Sequence, residues 1–146
     1  MERRSTPILG DEAGVAAVEF ALVLPILCLV LLGILDGWSY VTSSLSMRAG
    51  VKTAANLIMA GSTNDTATQA VAISSWENRP EDGQVTLSRI YMCGTTVVDV
   101  STMCSGPKAP SVYVQIQASA TWVPPVAFGA FSGSSTIGHL EVIRVR

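Results

Sequence analysis

The chain has 146 residues, enough for one small domain and a membrane anchor but too few for two domains with separate cores. Only 14 % of the residues are charged and 49 % are hydrophobic, which is a low charge content for a soluble domain of this size. The net charge is −2 and the basic residues are scattered, so the sequence has no basic stripe that would favour nucleic acid as a partner.

The apolar excess is concentrated in residues 15–35, which follow a polar leader, residues 1–14. Glu19 is the only charged residue in this run. As a helix the run would extend roughly 30 Å, about the thickness of the hydrocarbon core of a bilayer. The sequence therefore predicts one membrane-spanning helix, with a local bend or unwinding at Pro25.

The helix is predicted to continue beyond the membrane. Trp38 and Tyr40 suit the membrane interface, and Gly61 is typical of a helix C-terminal stop. The apolar residues of this extension recur at near-helical spacing: Leu45, Val51, Ala54, Ala55 and Ile58.

A second, shorter helix is predicted from an N-cap at Thr63 or Asn64 through Trp76. One side of this helix would carry Ala67, Val71 and Ser74.

The pattern then changes to that of β-strands. Residues 111–122 alternate cleanly, with one face formed by Val112, Val114, Ile116, Ala118, Ala120 and Trp122. Residues 84–93 and 139–146 are similarly rich in β-forming residues, and the connections between the three segments allow antiparallel pairing. The predicted fold class is α+β: a long N-terminal transmembrane helix that extends into a short helix and a small antiparallel sheet.

The sequence contains no recognisable catalytic or metal-binding pattern. His139 is the only histidine, and no zinc-protease, nucleophile-elbow or phosphate-loop motif occurs. We therefore expect no enzymatic activity, no cofactor, no metal and no small-molecule substrate.

Glu19 occupies an unfavourable place, because an acidic residue inside a membrane helix costs up to about 3 kcal/mol on insertion scales. One interpretation is that Glu19 lies at the headgroup boundary and extends into water. The other is that the chain is cut between Gly14 and Val15, so that the new α-amino group pairs with Glu19 within the chain or in an assembly.

The string GVAAVEFALVLPILCLVLLGI resembles the start of TadE-like proteins, minor pseudopilins of the tight-adherence (Tad, Flp-type) pilus, and it covers about 21 residues of the chain. The resemblance implies that Gly14 precedes a prepilin-peptidase cut, that Val15 is the mature N-terminus, and that Glu19, followed by the aromatic Phe20, serves assembly and register. A secretory signal peptide fits less well, because the apolar run is long, contains Glu19 and is followed by no Ala-x-Ala site.

The expected organisation follows from this resemblance: a leader at 1–14, a transmembrane helix at 15–37, a helix extension at 38–62 and a periplasmic α+β domain at 63–146. Charge counts alone leave the orientation open, but the resemblance implies a cytoplasmic leader and a C-terminal domain in the periplasm of a bacterium, with one pass through the inner membrane. The implied partners are prepilin peptidase, other pilins and pseudopilins, assembly-platform proteins and inner-membrane lipid. An alternative function is a single-pass inner-membrane module whose periplasmic domain recognises a ligand.

Two features of the exported part complete the expectations. Cys93 and Cys104 would form a disulfide, since a disulfide persists in the periplasm, whereas Cys28 lies in the anchor. Residues 124–135 are apolar, rich in glycine and free of charge. This segment would either contact another subunit or fold over the sheet to cover its core.

Overall fold

The computed structural model describes residues 12–145, so most of the expected leader lies outside the described residues. Its elements in chain order are α1 (Glu12–Met59), α2 (Asp65–Ser74), β1 (Gln84–Cys93), β2 (Thr96–Val98), β3 (Ser111–Trp122), a short 3₁₀ turn (Gly129–Phe131) and β4 (Ser135–Arg144). The α+β prediction is confirmed.

Helix α1 is a single element that contains both the apolar run and its extension. It continues as α-helix through Pro25, so of the predicted bend or unwinding at this proline the unwinding does not occur. The helix ends as the sequence predicts: Gly61 has φ 97° and donates to the carbonyl of Ile58 at 3.0 Å, while Ser62 donates to that of Leu57 at 3.0 Å. These two bonds form a Schellman motif, which requires a left-handed residue at this position.

Helix α2 begins after Asn64, whose side chain accepts a hydrogen bond from the backbone N–H of Ala67 at 3.0 Å. The N-cap is therefore Asn64, and the helix ends two residues before the predicted end at Trp76. Its buried side carries Thr68 and Ala72, with Trp76 buried just beyond the helix. The predicted side with Ala67, Val71 and Ser74 faces solvent.

The four strands form one antiparallel sheet in the order β2-β1-β3-β4. Strands β1 and β3 have the predicted bounds, whereas β4 starts four residues before the predicted segment. Strand β2 is not predicted by the sequence pattern. It pairs with the end of β1 through a two-residue turn whose first residue, Gly94, has φ 66°.

The core lies between one face of this sheet and the two helices. The alternating residues of β3 point inward as predicted, from Val114 to Trp122. Helix α1 contributes Met47, Val51, Ala54, Ala55 and Ile58, whereas Leu45 is exposed. Gly50 allows α2 to approach closely, because a Cβ atom there would lie 2.8 Å from the carbonyl oxygen of Ala72.

The direction of β3 gives the domain two distinct ends. At its C-terminal end, the indole Nε1 of Trp122 donates to the hydroxyl of Ser39 in α1 at 3.2 Å, just after the apolar run. At its N-terminal end, Ser111 pairs with Met92, next to the β1–β2 turn. Eleven residue steps along a strand correspond to about 36 Å, so the β1–β2 turn lies far from the anchor.

Candidate functional site

The first third of α1 protrudes from the domain. Residues 14–31 are all exposed, and no residue in the most apolar part of the helix is buried within the chain. Among the described residues, α1 is the one helix long and apolar enough to cross a membrane. Its apolar surface is consequently available to lipid or to neighbouring helices.

The expected processing and assembly residues lie together at the start of this protruding segment. Gly14 and Val15 are in the first turn of α1, and Glu19 and Phe20 follow one turn later. Positions 15 and 19 are on the same helix face because they differ by four residues. Within the described part of the chain, no ion pair involves Glu19, which is exposed.

Asp36 is the buried acidic residue at the other end of the apolar run. Its exposed fraction is 0 %, and its two carboxyl oxygens accept hydrogen bonds from the backbone N–H groups of Val126 at 2.9 Å and Phe128 at 3.0 Å. Between these two donors, Ala127 adopts a left-handed conformation with φ 56°. A carboxyl group that accepts two backbone donors repays part of the cost of its own burial and of this backbone strain.

An aromatic cluster lies beside this carboxyl group. Phe131 packs edge-on against Trp122 with ring centroids 5.6 Å apart, and Tyr40 packs edge-on against the same ring at 5.2 Å. Phe131 also lies 4.0 Å from the position that a Cβ atom at Gly37 would take. Residues 123–131, hereafter the Asp36 loop, are thus fixed to α1 at the point where the anchor ends.

This arrangement bears on both roles expected of residues 124–135. The segment covers Asp36 and the neighbouring turn of α1, and Phe131 also packs against Trp122 at the end of β3. Val126 and Phe128 nevertheless remain partly exposed, and Val123 is 68 % exposed. The outer surface of the Asp36 loop is therefore apolar.

An ion pair joins the start of α2 to the sheet. The guanidinium of Arg89 donates from Nε to Asp65 Oδ2 at 2.8 Å and from a terminal nitrogen to Oδ1 at 2.6 Å. The hydrogen bonds from Arg89, together with its charge, lower the pKa of Asp65, although partial burial acts in the opposite direction. The same contacts raise the pKa of Arg89. This pair stabilises the packing of α2 on β1.

The structure joins Cys93 to Cys104 in a disulfide with their Cα atoms 5.4 Å apart. The bond closes the β1–β2 turn and the following segment at the end remote from the anchor. Cys28 is a free, exposed residue of the anchor.

Within residues 12–145, no group of three or more His, Cys, Asp or Glu residues could hold a metal ion. Nε2 of His139 lies 3.9 Å from Oε2 of Glu141 on the inner side of β4. Among the described residues, no further metal-binding side chain joins this pair to form a metal site.

Asp36 holds residues 126–128 through two hydrogen bonds, a contact that the sequence pattern does not predict. The sequence feature that could have identified Asp36 is its position, since it is a lone acidic residue between Leu35 and Gly37 at the end of the apolar run. Such a residue needs polar partners, and the chain supplies them from a segment about ninety residues away. Spacing in the sequence alone does not identify that segment.

A family model described as TadE-like protein matches residues 14–56, which include the protruding helix, Asp36 and most of the helical part of the core. The matched family consists of membrane proteins associated with the Tad pilus, which are structural rather than enzymatic, and the long apolar helix of this chain fits a single-pass anchor. No curated protein and no solved structure matches the chain closely enough to extend the comparison.

Proposed function

Starting from a chain whose residues 14–56 are TadE-like, we propose that this protein is a minor pilin or pseudopilin that takes part in assembly of a Tad-type pilus, and hence in adhesion and surface colonisation. The TadE-like match is the observation that carries the proposal. The exposed apolar helix supports it, because a helix that is unpartnered within its own chain can pass from lipid to the helices of other subunits. The other pilins and the assembly-platform proteins are the proposed partners.

Processing between Gly14 and Val15 by a prepilin peptidase is part of this proposal. The junction lies at the exposed start of α1, away from the domain, so cutting there would not disturb the core. The cut would create an α-amino group on Val15, one helical turn before the carboxylate of Glu19. The two opposite charges would then be close enough to pair within the chain, and equally able to pair between neighbouring subunits.

The proposed orientation places the leader in the cytoplasm and the α+β domain in the periplasm. The Cys93–Cys104 disulfide supports this orientation, because disulfides persist in the periplasm and are rare in the cytoplasm. In this arrangement Asp36 and the Asp36 loop lie at the periplasmic surface of the inner membrane.

Two glycine substitutions test the processing step. Gly14→Leu should abolish cutting, whereas Gly33→Leu should leave it intact, and neither site has a neighbouring atom within 4 Å of an added Cβ. Intact-mass analysis of membrane extracts from a peptidase-competent host should show the parent and Gly33→Leu starting at Val15. A parent chain that starts at Met1 and stays in the membrane would favour the alternative, a permanently anchored binding module.

Glu19→Gln tests the assembly step, because it removes the charge at constant size. The matched control is Glu77→Gln, the same chemical change at an exposed residue of the domain. We expect both variants to be cut, and only Glu19→Gln to lose surface pili and co-purification of the other pilus proteins, by about tenfold or more for the loss of one buried charge pair. Normal piliation with Glu19→Gln would show that Glu19 only extends into the headgroup region.

A further inference from the structure

The Asp36 loop has a fixed height relative to the membrane anchor. Its backbone at Val126 and Phe128 is hydrogen-bonded to the side chain of Asp36, which immediately follows the apolar run. Side chains of an α-helix point toward its N-terminus, so the carboxyl group of Asp36 reaches toward the membrane side of its own Cα atom. The loop is thus held at the level where the hydrocarbon core of the bilayer ends.

The composition of the loop suits that level. Residues 123–135 carry no charge, so moving the loop into the headgroup region desolvates no ionised side chain. Val123, Val126 and Phe128 present apolar surface outward, and Trp38 of α1 is 69 % exposed at the same height. Exposed tryptophan and apolar side chains next to a membrane span are typical of interfacial contacts.

We propose that the Asp36 loop is a second membrane contact, which inserts the side chains of Val123, Val126 and Phe128 into the headgroup and upper acyl region of the inner membrane. The occupant of this apolar surface is lipid, because the loop is hydrogen-bonded to Asp36, which directly follows the end of the apolar run at Leu35. The contact would seat the sheet against the bilayer, with the Cys93–Cys104 end of the domain farthest from it. The inference rests on the proposed membrane anchoring of α1.

The experiment measures the depth of spin labels in the full chain, reconstituted in vesicles of phosphatidylethanolamine and phosphatidylglycerol. Cys28→Ala removes the free thiol and leaves the disulfide intact. Single cysteines are then placed at Val123, at Val97 and at Leu27 of the anchor, and each carries a nitroxide. Val123 and Val97 are matched, since they are 68 % and 66 % exposed within the chain but lie at opposite ends of the sheet.

The expected result is that the nitroxide at 123 collides with a water-soluble nickel complex about threefold less often than the nitroxide at 97, while its collisions with oxygen increase. The nitroxide at 27 should be the deepest. If the label at 123 is as accessible to nickel as that at 97 while 27 is deep, the loop contact is refuted and the anchor stands.

Two other outcomes also overturn the proposal. Protection of the label at 123 from both oxygen and nickel would mean that protein covers the loop, as in contact with a second copy of the chain. Exposure of the label at 27 to nickel would show that α1 itself is not inserted, and the membrane-anchor proposal would fail with it.

Discussion

The structural role of a carboxyl group in this protein depends on its environment, as three residues show: Glu19, Asp36 and Asp65. Glu19 is exposed on the anchor, and none of the ion pairs among the described residues involves it. Asp36 is fully buried and satisfied by backbone donors, so it organises a loop. Asp65 accepts two hydrogen bonds from one guanidinium and joins a helix to a sheet.

The Asp65–Arg89 pair should make stability depend on pH in acid. The pKa of Asp65 in the folded chain lies below its unfolded value of about 3.9, so the unfolded state binds more protons between the two values. The contribution is therefore fully present above about pH 5 and is lost as the pH falls through the folded-state pKa. Because both side chains are partly exposed, we expect less than about 1 kcal/mol.

Urea unfolding of the parent and of Asp65→Asn, in detergent and followed by circular dichroism, measures this contribution. The parent should be more stable at pH 6, and the difference should shrink steadily toward pH 2. Asp99→Asn is the control, since Asp99 is exposed and makes no ion pair in the described part of the chain. A constant difference between pH 6 and pH 2 would mean that Asp65 acts through packing rather than through its charge.

At the scale of elements, the periodicity of apolar residues predicts which side chains of a single strand or helix are buried. The alternation of β3 predicts its bounds and its inner face, since the period of a strand is unambiguous over twelve residues. The end of α1 is equally predictable, because glycine is the residue that most often takes the left-handed position after the last turn of a helix.

Features that depend on distant partners were not predictable in this way. The buried side of α2 carries Ala72 and Thr68 rather than the more apolar Val71, and Gly50 of α1 lies directly against Ala72. Strand β2 is too short for a periodic pattern, and it forms because β1 provides a free edge after Gly94. The contact between Asp36 and Val126 joins residues that no local rule connects.

A substitution at Gly50 tests whether the close packing of α1 on α2 outweighs the higher helix propensity of alanine. In an isolated helix, Gly→Ala stabilises by about 1 kcal/mol. At position 50, however, the new Cβ would lie 2.8 Å from a backbone carbonyl oxygen and 3.2 Å from Cβ of Trp76. We expect Gly50→Ala to destabilise the domain by about 1 to 3 kcal/mol, because the two helices must move apart.

The control is Gly37→Ala in the same helix, where the nearest atom would be Cε2 of Phe131 at 4.0 Å. This variant should retain or increase the free energy of unfolding, as measured by urea titration in detergent. If both variants gained stability equally, the close approach of α1 and α2 would have no energetic consequence.

At the scale of the whole molecule, the disulfide stabilises the end of the domain that the helices cover least. Val97, Val100 and Met103 in the segment closed by the bond are exposed, so burial contributes little to the order of this segment. Substituting both cysteines, Cys93→Ser with Cys104→Ser, should cost about 2 to 4 kcal/mol, since the open segment gains conformational freedom when unfolded.

Non-reducing peptide mapping of periplasm-derived protein should recover the two cysteines linked, and reductant should lower the stability of the parent but not of the double variant. Cys28→Ala is the control and should leave the free energy of unfolding unchanged, as Cys28 lies on the exposed anchor. Two free thiols in exported material would remove both the bond and its expected contribution.

Because α1 is uninterrupted, it fixes the rotational orientation of the domain relative to the anchor. Glu19 on the protruding segment and Val51 in the core against the sheet belong to one continuous helix, Glu12–Met59. Each residue advances this helix by about 1.5 Å and turns it by about 100°. The direction in which the sheet faces around the helix axis is therefore fixed relative to the direction in which Glu19 points. If the anchor rotates against its neighbours, the whole domain rotates by the same angle.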